Sequence, residues 1–170
     1  MRKTLFIAVA ALSFIFTACK NNSNEAVLPS DVDILHQNQD ALTEVIIYDV
    51  FSPPVASRIY AYSSLASYEA IRFAKPGFPS LTARLKGFKP MPEPEKGKEY
   101  NYALAATKAF FTVVHKVVFS LDSLKDYENQ IYGQFKRSLD KETFARSVAF
   151  GDSIGKVVLA RAASDNYAAG

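Results

Sequence analysis

The chain has 170 residues, of which 49% are hydrophobic and 13% aromatic, so it is long enough to bury one sizeable core. This composition argues against an intrinsically disordered protein. Its 20 basic residues include Arg2 and Lys3, so from Cys19 onward 18 basic residues face 17 acidic ones. That balance, without basic residues interleaved with aromatic ones, argues against nucleic-acid binding.

The N-terminus has the pattern of a bacterial export signal. A positive start at residues 1–3 precedes an apolar run at residues 5–16, and Phe16-Thr17-Ala18-Cys19 resembles a lipobox. The run is about a dozen residues, short of the roughly 20 that a spanning helix needs, so a permanent transmembrane anchor is the weaker alternative. We predict a signal peptide at residues 1–18, removed by cleavage before Cys19.

Cys19 is the single cysteine, so no internal disulfide can form, and its place behind an apolar leader favours lipid attachment over nucleophilic chemistry. Residues 19–30 are polar and rich in asparagine, which is typical of a flexible tether. We expect an exported protein, lipid-anchored to a bacterial membrane on the periplasmic or cell-surface side, with a folded domain at residues 31–170.

The domain is predicted to be all-α, a bundle of about five long helices. The first runs from residue 32 to 51, with Asp31 or Asp33 as its N-cap. His36 and Asp40 stand four apart on it and could share a metal ion. No third ligand follows at a recognisable spacing, so a solvated surface pair is the better interpretation.

The second helix, residues 52–73, is predicted to be the buried central helix. Ser52 is a good N-cap, and the two prolines after it fall in the first turn, where a missing N–H costs nothing. Small residues on every side allow close packing. Because an unpaired buried polar group costs about 1 to 3 kcal/mol, we predict a buried polar network of Arg58, Tyr62 and Glu69.

Residues 74–97 hold five of the eight prolines and form a long connection. We expect a short helix at residues 81–86, with Ser80 as N-cap and Gly87 as its stop. Four apolar side chains should pack this connection onto the core: Phe78, Leu81, Leu85 and Phe88.

A third helix is predicted at residues 98–119. The β-branched run at residues 112–118 could instead be a strand, but an isolated strand in a helical chain has no partner. His115 lies in this apolar region. A packed histidine with one satisfied hydrogen bond is a better interpretation than a ligand or a catalytic group.

The fourth helix is predicted at residues 121–139 with Ser120 as N-cap, and a fifth follows Asp140. Gly151 and Gly155 stand four apart on the fifth helix. In a membrane this spacing indicates dimerisation, but the polar residues around them favour close packing against another helix of the domain.

Several segments together resemble a known family: IYDVF at residues 47–51, PPVASRIYAY at 53–62, LASYEA at 65–70 and GKEY at 97–100. They are similar to the N-terminal helical region of bacterial lipoproteins in the vanadium-dependent haloperoxidase and type 2 phosphatidic acid phosphatase superfamily. The resemblance covers roughly residues 33–167. It implies an all-helical fold that binds phosphate or vanadate through a Lys and Arg-Pro segment, a Pro-Ser-Gly-His segment and a Ser-Arg segment followed by His.

The binding segments themselves do not match. The chain has no Arg-Pro and no Pro-Ser-Gly-His, and Ser64 stands six residues after Arg58, where the family's third segment needs histidine. The family's chemistry needs a histidine nucleophile, a second histidine as acid and a cluster of cationic donors. We therefore assign no catalytic, cofactor-binding or metal-binding residue here; vanadate or phosphate would belong to a full-length parent.

Two hypotheses follow. The chain is the N-terminal helical part of a lipid-anchored phosphatase or haloperoxidase-like protein, with the membrane at Cys19 and a missing catalytic bundle as its partners, or it is a complete small periplasmic lipoprotein that serves as a helical binding or scaffold module. The first predicts a large exposed apolar patch, which we expect at residues 153–159, and the second a polar outer surface. A standalone enzyme has little support, because no nucleophile and base, metal cluster or phosphate-cradling loop is evident.

Overall fold

The computed structural model describes residues 28–165 and residue 167, and within that part of the chain it contains five α-helices and no strand. The predicted all-α fold class is confirmed. The predicted signal peptide, Cys19 and most of the tether lie outside the described residues. The helices are α1 (Asp31–Tyr48), α2 (Pro53–Ile71), α3 (Tyr102–Val117), α4 (Asp122–Ser138) and α5 (Lys141–Ala162), with 3-10 turns at Arg72–Ala74 and Thr82–Arg84.

The start of α1 differs from the prediction. Ser30 is the N-cap, and its hydroxyl oxygen accepts a hydrogen bond of 3.2 Å from the backbone N–H of Asp33. The expected caps, Asp31 and Asp33, were wrong, since both lie inside the first turn. Carboxylates there still interact favourably with the positive end of the helix dipole.

The predicted starts of α2 and α5 agree with the structure, and the cap predicted for α4 does not. Ser52 precedes α2 as expected, and Asp140 caps α5 by accepting a 2.8 Å hydrogen bond from the backbone N–H of Thr143. The cap expected for α4 was wrong. Leu121 holds that position, because the Ser120 hydroxyl donates instead to a carboxylate of the α1–α2 turn.

The central helix of the bundle is α3 and not α2. Ten of the sixteen residues of α3 are buried, against six of the nineteen in α2. Its alanines at 103, 105, 106 and 109 let neighbouring helices approach from several sides. The run at residues 112–118 is helical through Val117, so the strand alternative was wrong.

The contact between α3 and α5 depends on two glycines. A Cβ added at Gly151 would lie 2.2 Å from the carbonyl oxygen of Ala105, and one at Gly155 would lie 2.6 Å from Cβ of Thr112. Neither distance leaves room for a side chain. The predicted close packing of this glycine pair within the domain is confirmed.

A buried amide joins three of the helices. Asn38 on α1, only 1% exposed, donates a 3.1 Å hydrogen bond to the Thr107 hydroxyl on α3. Its carbonyl oxygen accepts a 2.7 Å hydrogen bond from the Tyr127 hydroxyl on α4. Because both ends of the amide are satisfied inside the core, this contact fixes the register of α1 against α3 and α4.

The long connection packs differently from the prediction. Phe88 is half-buried and packs against the core, whereas Phe78, Leu81 and Leu85 stay exposed. The expected helix at residues 81–86 is reduced to the single turn Thr82–Arg84, and Gly87 follows it at φ +87°. No helix in the described part of the chain is both long and apolar enough to cross a bilayer.

Candidate functional site

The first polar cluster on α2 joins that helix to the end of α5. The Arg58 guanidinium donates a 3.0 Å hydrogen bond from Nε to a carboxylate oxygen of Asp165, and one of 2.7 Å to the carbonyl oxygen of Ala162. The Tyr62 hydroxyl donates to the same Asp165 oxygen at 2.8 Å. The aromatic rings of Tyr62 and Tyr167 lie 5.1 Å and 4.4 Å from the guanidinium carbon.

These contacts shift the titration of the cluster. The hydrogen bond from Arg58, followed by the one from the backbone N–H of Tyr167, holds the pKa of Asp165 well below its ordinary value. Burial, and then the hydrogen bond to Asp165, raises the pKa of the Tyr62 hydroxyl. The cluster is therefore a closed ion pair whose charges stabilise the helix contact.

A second cluster surrounds Glu69, whose side chain is fully buried. One carboxylate oxygen accepts a 3.0 Å hydrogen bond from Nε of Arg72. The other accepts from the Ser80 hydroxyl at 3.0 Å, and from the Thr82 backbone N–H at 2.9 Å and hydroxyl at 3.2 Å. Glu69 thus fastens the long connection to α2.

The predicted network is divided between these two clusters. The structure brings Arg58 and Tyr62 together and places Glu69 with a different set of partners. No local pattern marks Asp165 as a partner of Arg58, because the two lie 107 positions apart in the chain. The pairing of Glu69 with Arg72 could have been found, because residues three apart face each other on a helix.

The two histidines lie in separate places. His36 is exposed beside a cavity between α1 and α2 that Gln39 and Ser64 also line. Nε2 of His115 on α3 lies 2.5 Å from a carboxylate oxygen of Glu128 on α4. Among the described residues, no group of three His, Cys, Asp or Glu side chains is placed to hold a metal ion.

The described residues do not fit vanadate or phosphate. Such an anion needs a free histidine nitrogen and several unpaired cationic donors around its oxygens. Here the Glu128 carboxylate lies against His115 and would repel an anion, while Arg58 and Arg72 are each held by a carboxylate. No step of vanadate or phosphoryl chemistry is assigned to these side chains.

The largest exposed apolar side chains gather where α1 turns into α2 and α3 ends. Val50 is 85% exposed and Phe119 is 78% exposed. We call this surface the apolar cap; its members are Ile47, Tyr48, Val50, Phe119 and Leu121. The patch expected at residues 153–159 was wrong, because Ile154 and Val158 on that stretch of α5 are fully buried.

Asp49 holds the apolar cap together. Its carboxylate accepts hydrogen bonds from the backbone N–H groups of Phe119 at 2.9 Å and Ser120 at 3.2 Å, and from the Ser120 hydroxyl at 2.5 Å. Partial burial alone would raise the pKa of Asp49, but these hydrogen bonds outweigh it and lower the pKa below its ordinary value.

Val50 is held in a strained conformation within the cap. Its N–H donates to the carbonyl oxygen of Ile47 at 3.1 Å, and the N–H of Phe51 donates to that of Ile46 at 3.2 Å, which is a Schellman motif. Glycine normally occupies the left-handed position, whereas here φ is +54° at a β-branched residue. The two hydrogen bonds that end α1 offset this backbone strain, and the valine side chain stays 85% exposed.

Comparison with solved structures finds a relative. The crystal structure described as that of the first bacterial vanadium-dependent iodoperoxidase aligns with a TM-score of 0.74 and 34% sequence identity. The alignment covers 81% of this chain and 33% of the iodoperoxidase chain. No family model matches the sequence, and no curated protein sequence matches it. The resemblance to the helical region of the haloperoxidase superfamily is confirmed, and the chain spans one third of the iodoperoxidase's length.

Proposed function

We propose that this chain is the helical support of an exported, lipid-anchored haloperoxidase or phosphatase-like protein, whose chemistry is carried out by a catalytic bundle outside the described residues. The observation that carries this proposal is the one-sided coverage of the iodoperoxidase. The alignment includes 81% of this chain at 34% identity but leaves two thirds of the iodoperoxidase without a counterpart.

The polar side chains support a structural role. Arg58 and Glu69 each make several hydrogen bonds to other elements of the domain, which stabilise α2 against α5 and against the long connection. Charges that are matched inside the fold are poor candidates for binding a substrate. Vanadate or phosphate would then be held by the segments of the parent protein that this chain lacks.

The apolar cap supports the fragment hypothesis over a complete scaffold module. A complete module predicts polar outer surfaces, whereas Val50 and Phe119 leave most of their apolar area in solvent. The end of α5 is fastened to Arg58, about a turn and a half into α2, and α2 starts beside the cap. Chain continuing from α5 would therefore emerge near the surface on which we expect the catalytic bundle to pack.

We include in the proposal a lipid anchor that holds the helical support at a membrane. A lipid-modified Cys19 followed by a polar tether would hold the support at the membrane, because each buried methylene of an acyl chain contributes about 0.8 kcal/mol. The catalytic bundle would then act at the periplasmic or cell-surface face of that membrane.

The test is to read the gene beyond the codon for Gly170. We expect the reading frame to continue and to encode an Arg-Pro segment and a Pro-Ser-Gly-His segment, because the anion site needs both. Iodide oxidation and phosphomonoester hydrolysis would then be assayed on the longer protein. A stop codon directly after Gly170 would contradict the proposal and leave the small scaffold module as the function.

A further inference from the structure

The connection between α2 and α3 concentrates positive charge. We call residues 72–92 the basic loop. From Cys19 onward the chain has 18 basic and 17 acidic residues, and the basic loop contains five of the former and none of the latter. The five are Arg72, Lys75, Arg84, Lys86 and Lys89. Outside the loop, 13 basic residues face 17 acidic ones from Cys19 onward, so the loop is a local cationic surface on a protein that is otherwise net negative.

The same loop exposes large apolar side chains. Phe78 is 53% exposed, Leu81 40% and Leu85 50%. Only Arg72 among the five basic residues forms an ion pair with any residue in the range 28–165; the other four side chains are exposed. Exposed apolar tips set among unpaired cations are typical of surfaces that bind an anionic membrane.

The basic loop is fixed in place although its apolar side chains are exposed. Glu69 holds it at Ser80 and Thr82, and the Tyr68 hydroxyl donates a 2.9 Å hydrogen bond to the carbonyl oxygen of Pro79. At Gly87, an added Cβ would lie 2.9 Å from Nε of Arg161. The loop is built to present Phe78, Leu81 and Leu85 outward.

The chain that leads to the predicted anchor enters the domain beside this loop. A cavity of about 410 Å³ is lined both by Asp31 and Val32 at the start of α1 and by Lys75 and Phe78 of the loop. The twelve residues from Cys19 to Asp31 span at most about 40 Å when extended. A lipid on Cys19 would therefore bring the basic loop within reach of the membrane surface.

We propose that the basic loop lies on the surface of an anionic phospholipid bilayer, with Phe78, Leu81 and Leu85 at the level of the headgroups and the lysine and arginine side chains against lipid phosphates. The proposal goes beyond the proposed function and rests on it only for the place of the anchor. The apolar side chains exposed among the cations, and the tether that enters beside the loop, favour lipid over an acidic protein surface.

This docking also orients the domain. α1 has 18 residues and is about 27 Å long, and the apolar cap lies at the opposite end of α1 from the tether. Phe78 and the start of α1 then meet the bilayer at one end of the bundle, while residues 85–87 pack beside Tyr62 and Arg161, between that end and the cap. A catalytic bundle could then pack on the cap without competing with the membrane.

The experiment uses single introduced cysteines in the full lipid-anchored chain, since lipid modification leaves Cys19 without a free thiol. Phe78→Cys and Leu85→Cys are labelled with an environment-sensitive fluorophore, and Val50→Cys and Phe119→Cys are the controls. The unsubstituted chain reports any labelling at Cys19. Each protein is reconstituted into vesicles of phosphatidylcholine alone or with added phosphatidylglycerol, and flotation of the vesicles measures binding.

We expect a blue shift of the fluorophore at positions 78 and 85 in vesicles that contain phosphatidylglycerol, and none at positions 50 and 119. If exposed apolar area alone decided contact with lipid, the controls would shift more, because Val50 and Phe119 are the more exposed side chains. No shift at 78 and 85 with phosphatidylglycerol, or an equal shift at all four positions, would overturn the proposal.

Charge reversal separates the loop from the anchor. Each basic residue near an anionic surface contributes about fivefold to binding. In a chain that begins at Lys20, without leader or lipid, Lys86→Glu with Lys89→Glu should therefore weaken binding to phosphatidylglycerol vesicles by about 25-fold or more. The matched control, Lys116→Glu with Lys125→Glu at the end of the bundle that carries the apolar cap, should leave it within about twofold. A lipid anchor should bind vesicles of either composition. If the chain with Cys19 floats only with vesicles that contain phosphatidylglycerol, the result would refute the anchor and support binding through the basic loop. An equal loss in both double variants would refute the loop.

Discussion

The apolar cap and the basic loop both expose large apolar side chains, but they differ in charge and in how the backbone is held. The cap is organised by one carboxylate, Asp49, and includes a strained valine. The loop is organised by the buried Glu69, and its own residues 72–92 include five basic side chains and no acidic one. Exposed hydrophobic area by itself therefore does not identify a partner. We use the charge around each surface as the further criterion, and on it we propose a protein partner for the cap and a lipid surface for the loop.

Glu69→Ala should have the largest effect on stability, because it releases the basic loop from α2. It leaves the buried Thr82 N–H and the largely buried Arg72 guanidinium without their acceptor, which should lower the free energy of unfolding by about 3 to 5 kcal/mol. A urea melt measures the loss, and faster proteolysis within residues 72–92 reports release of the loop. The exposed Glu93→Ala variant is the control, within about 0.5 kcal/mol of wild type. Equal stability of the two variants would refute Glu69 as the organiser.

Arg58→Ala tests whether the first cluster stabilises the domain that carries both surfaces. Losing charged hydrogen bonds to Asp165 and Ala162 should lower the free energy of unfolding by about 1.5 to 3 kcal/mol. Arg84→Ala, on the exposed loop, is the control and should change it little. A urea melt of Arg58→Ala that matches wild type would contradict this role.

The pH dependence of stability sharpens that test. The pKa of Asp165 is lower in the folded protein than its ordinary 3.8, so on acidification the unfolded chain takes up the proton first. This contribution is present above pH 3.8 and is lost as pH falls through the folded pKa. In Arg58→Ala, Asp165 should contribute a smaller decline in the free energy of unfolding on acidification, because the hydrogen bond from Arg58 is lost. Unfolding free energies measured between pH 6 and pH 2 would contradict the assignment if the two proteins declined in parallel.

Gly151→Ala should disturb the helix contact that fixes the cap relative to the loop. The added Cβ meets the carbonyl oxygen of Ala105, so overpacking should cost about 1 to 3 kcal/mol of unfolding free energy. Gly133→Ala is the matched control, because its Cβ would meet only the end of the flexible Arg137 side chain at 3.4 Å. That variant should gain about 0.5 to 1 kcal/mol from helix propensity. Thermal melts that moved in the same direction would refute the close α3–α5 contact.

Val50→Gly should have the smallest effect of these substitutions, and it should stabilise the protein instead of destabilising it. Glycine accepts a positive φ without strain, so the free energy of unfolding should rise by about 1 kcal/mol. Val32→Gly, at another exposed valine inside α1, should lower it by about 0.5 to 1 kcal/mol. Destabilisation by both substitutions in urea melts would show that Val50 is not strained.

Features that depend on residues close together in the chain, such as helix starts, could be predicted from the sequence. Ser52 with its two prolines and Asp140 marked the starts of α2 and α5, because caps act within one turn. The start of α1 was missed because Ser30, Asp31 and Asp33 are all suitable caps, and only the backbone geometry selects among them.

Features that depend on distant parts of the chain were not predictable. Asp165 carries no local mark of its pairing with Arg58, since the two meet only when α5 packs on α2. The apolar side chains of the long connection were expected in the core because they are hydrophobic. Burial also needs free core surface, and the neighbouring helices already cover α3, so Phe78 and Leu85 remain outside.

The central claim is that the apolar cap receives a catalytic bundle while the basic loop faces lipid. A photo-crosslinking amino acid in place of Val50, activated in membranes of cells that make the protein, tests it directly when the adducts are identified by mass spectrometry. We predict adducts to a helical sequence that carries the Arg-Pro or Pro-Ser-Gly-His segment, and adducts to phospholipid when the same group replaces Phe78. Adducts to lipid at position 50, or to proteins without those segments, would contradict the claim.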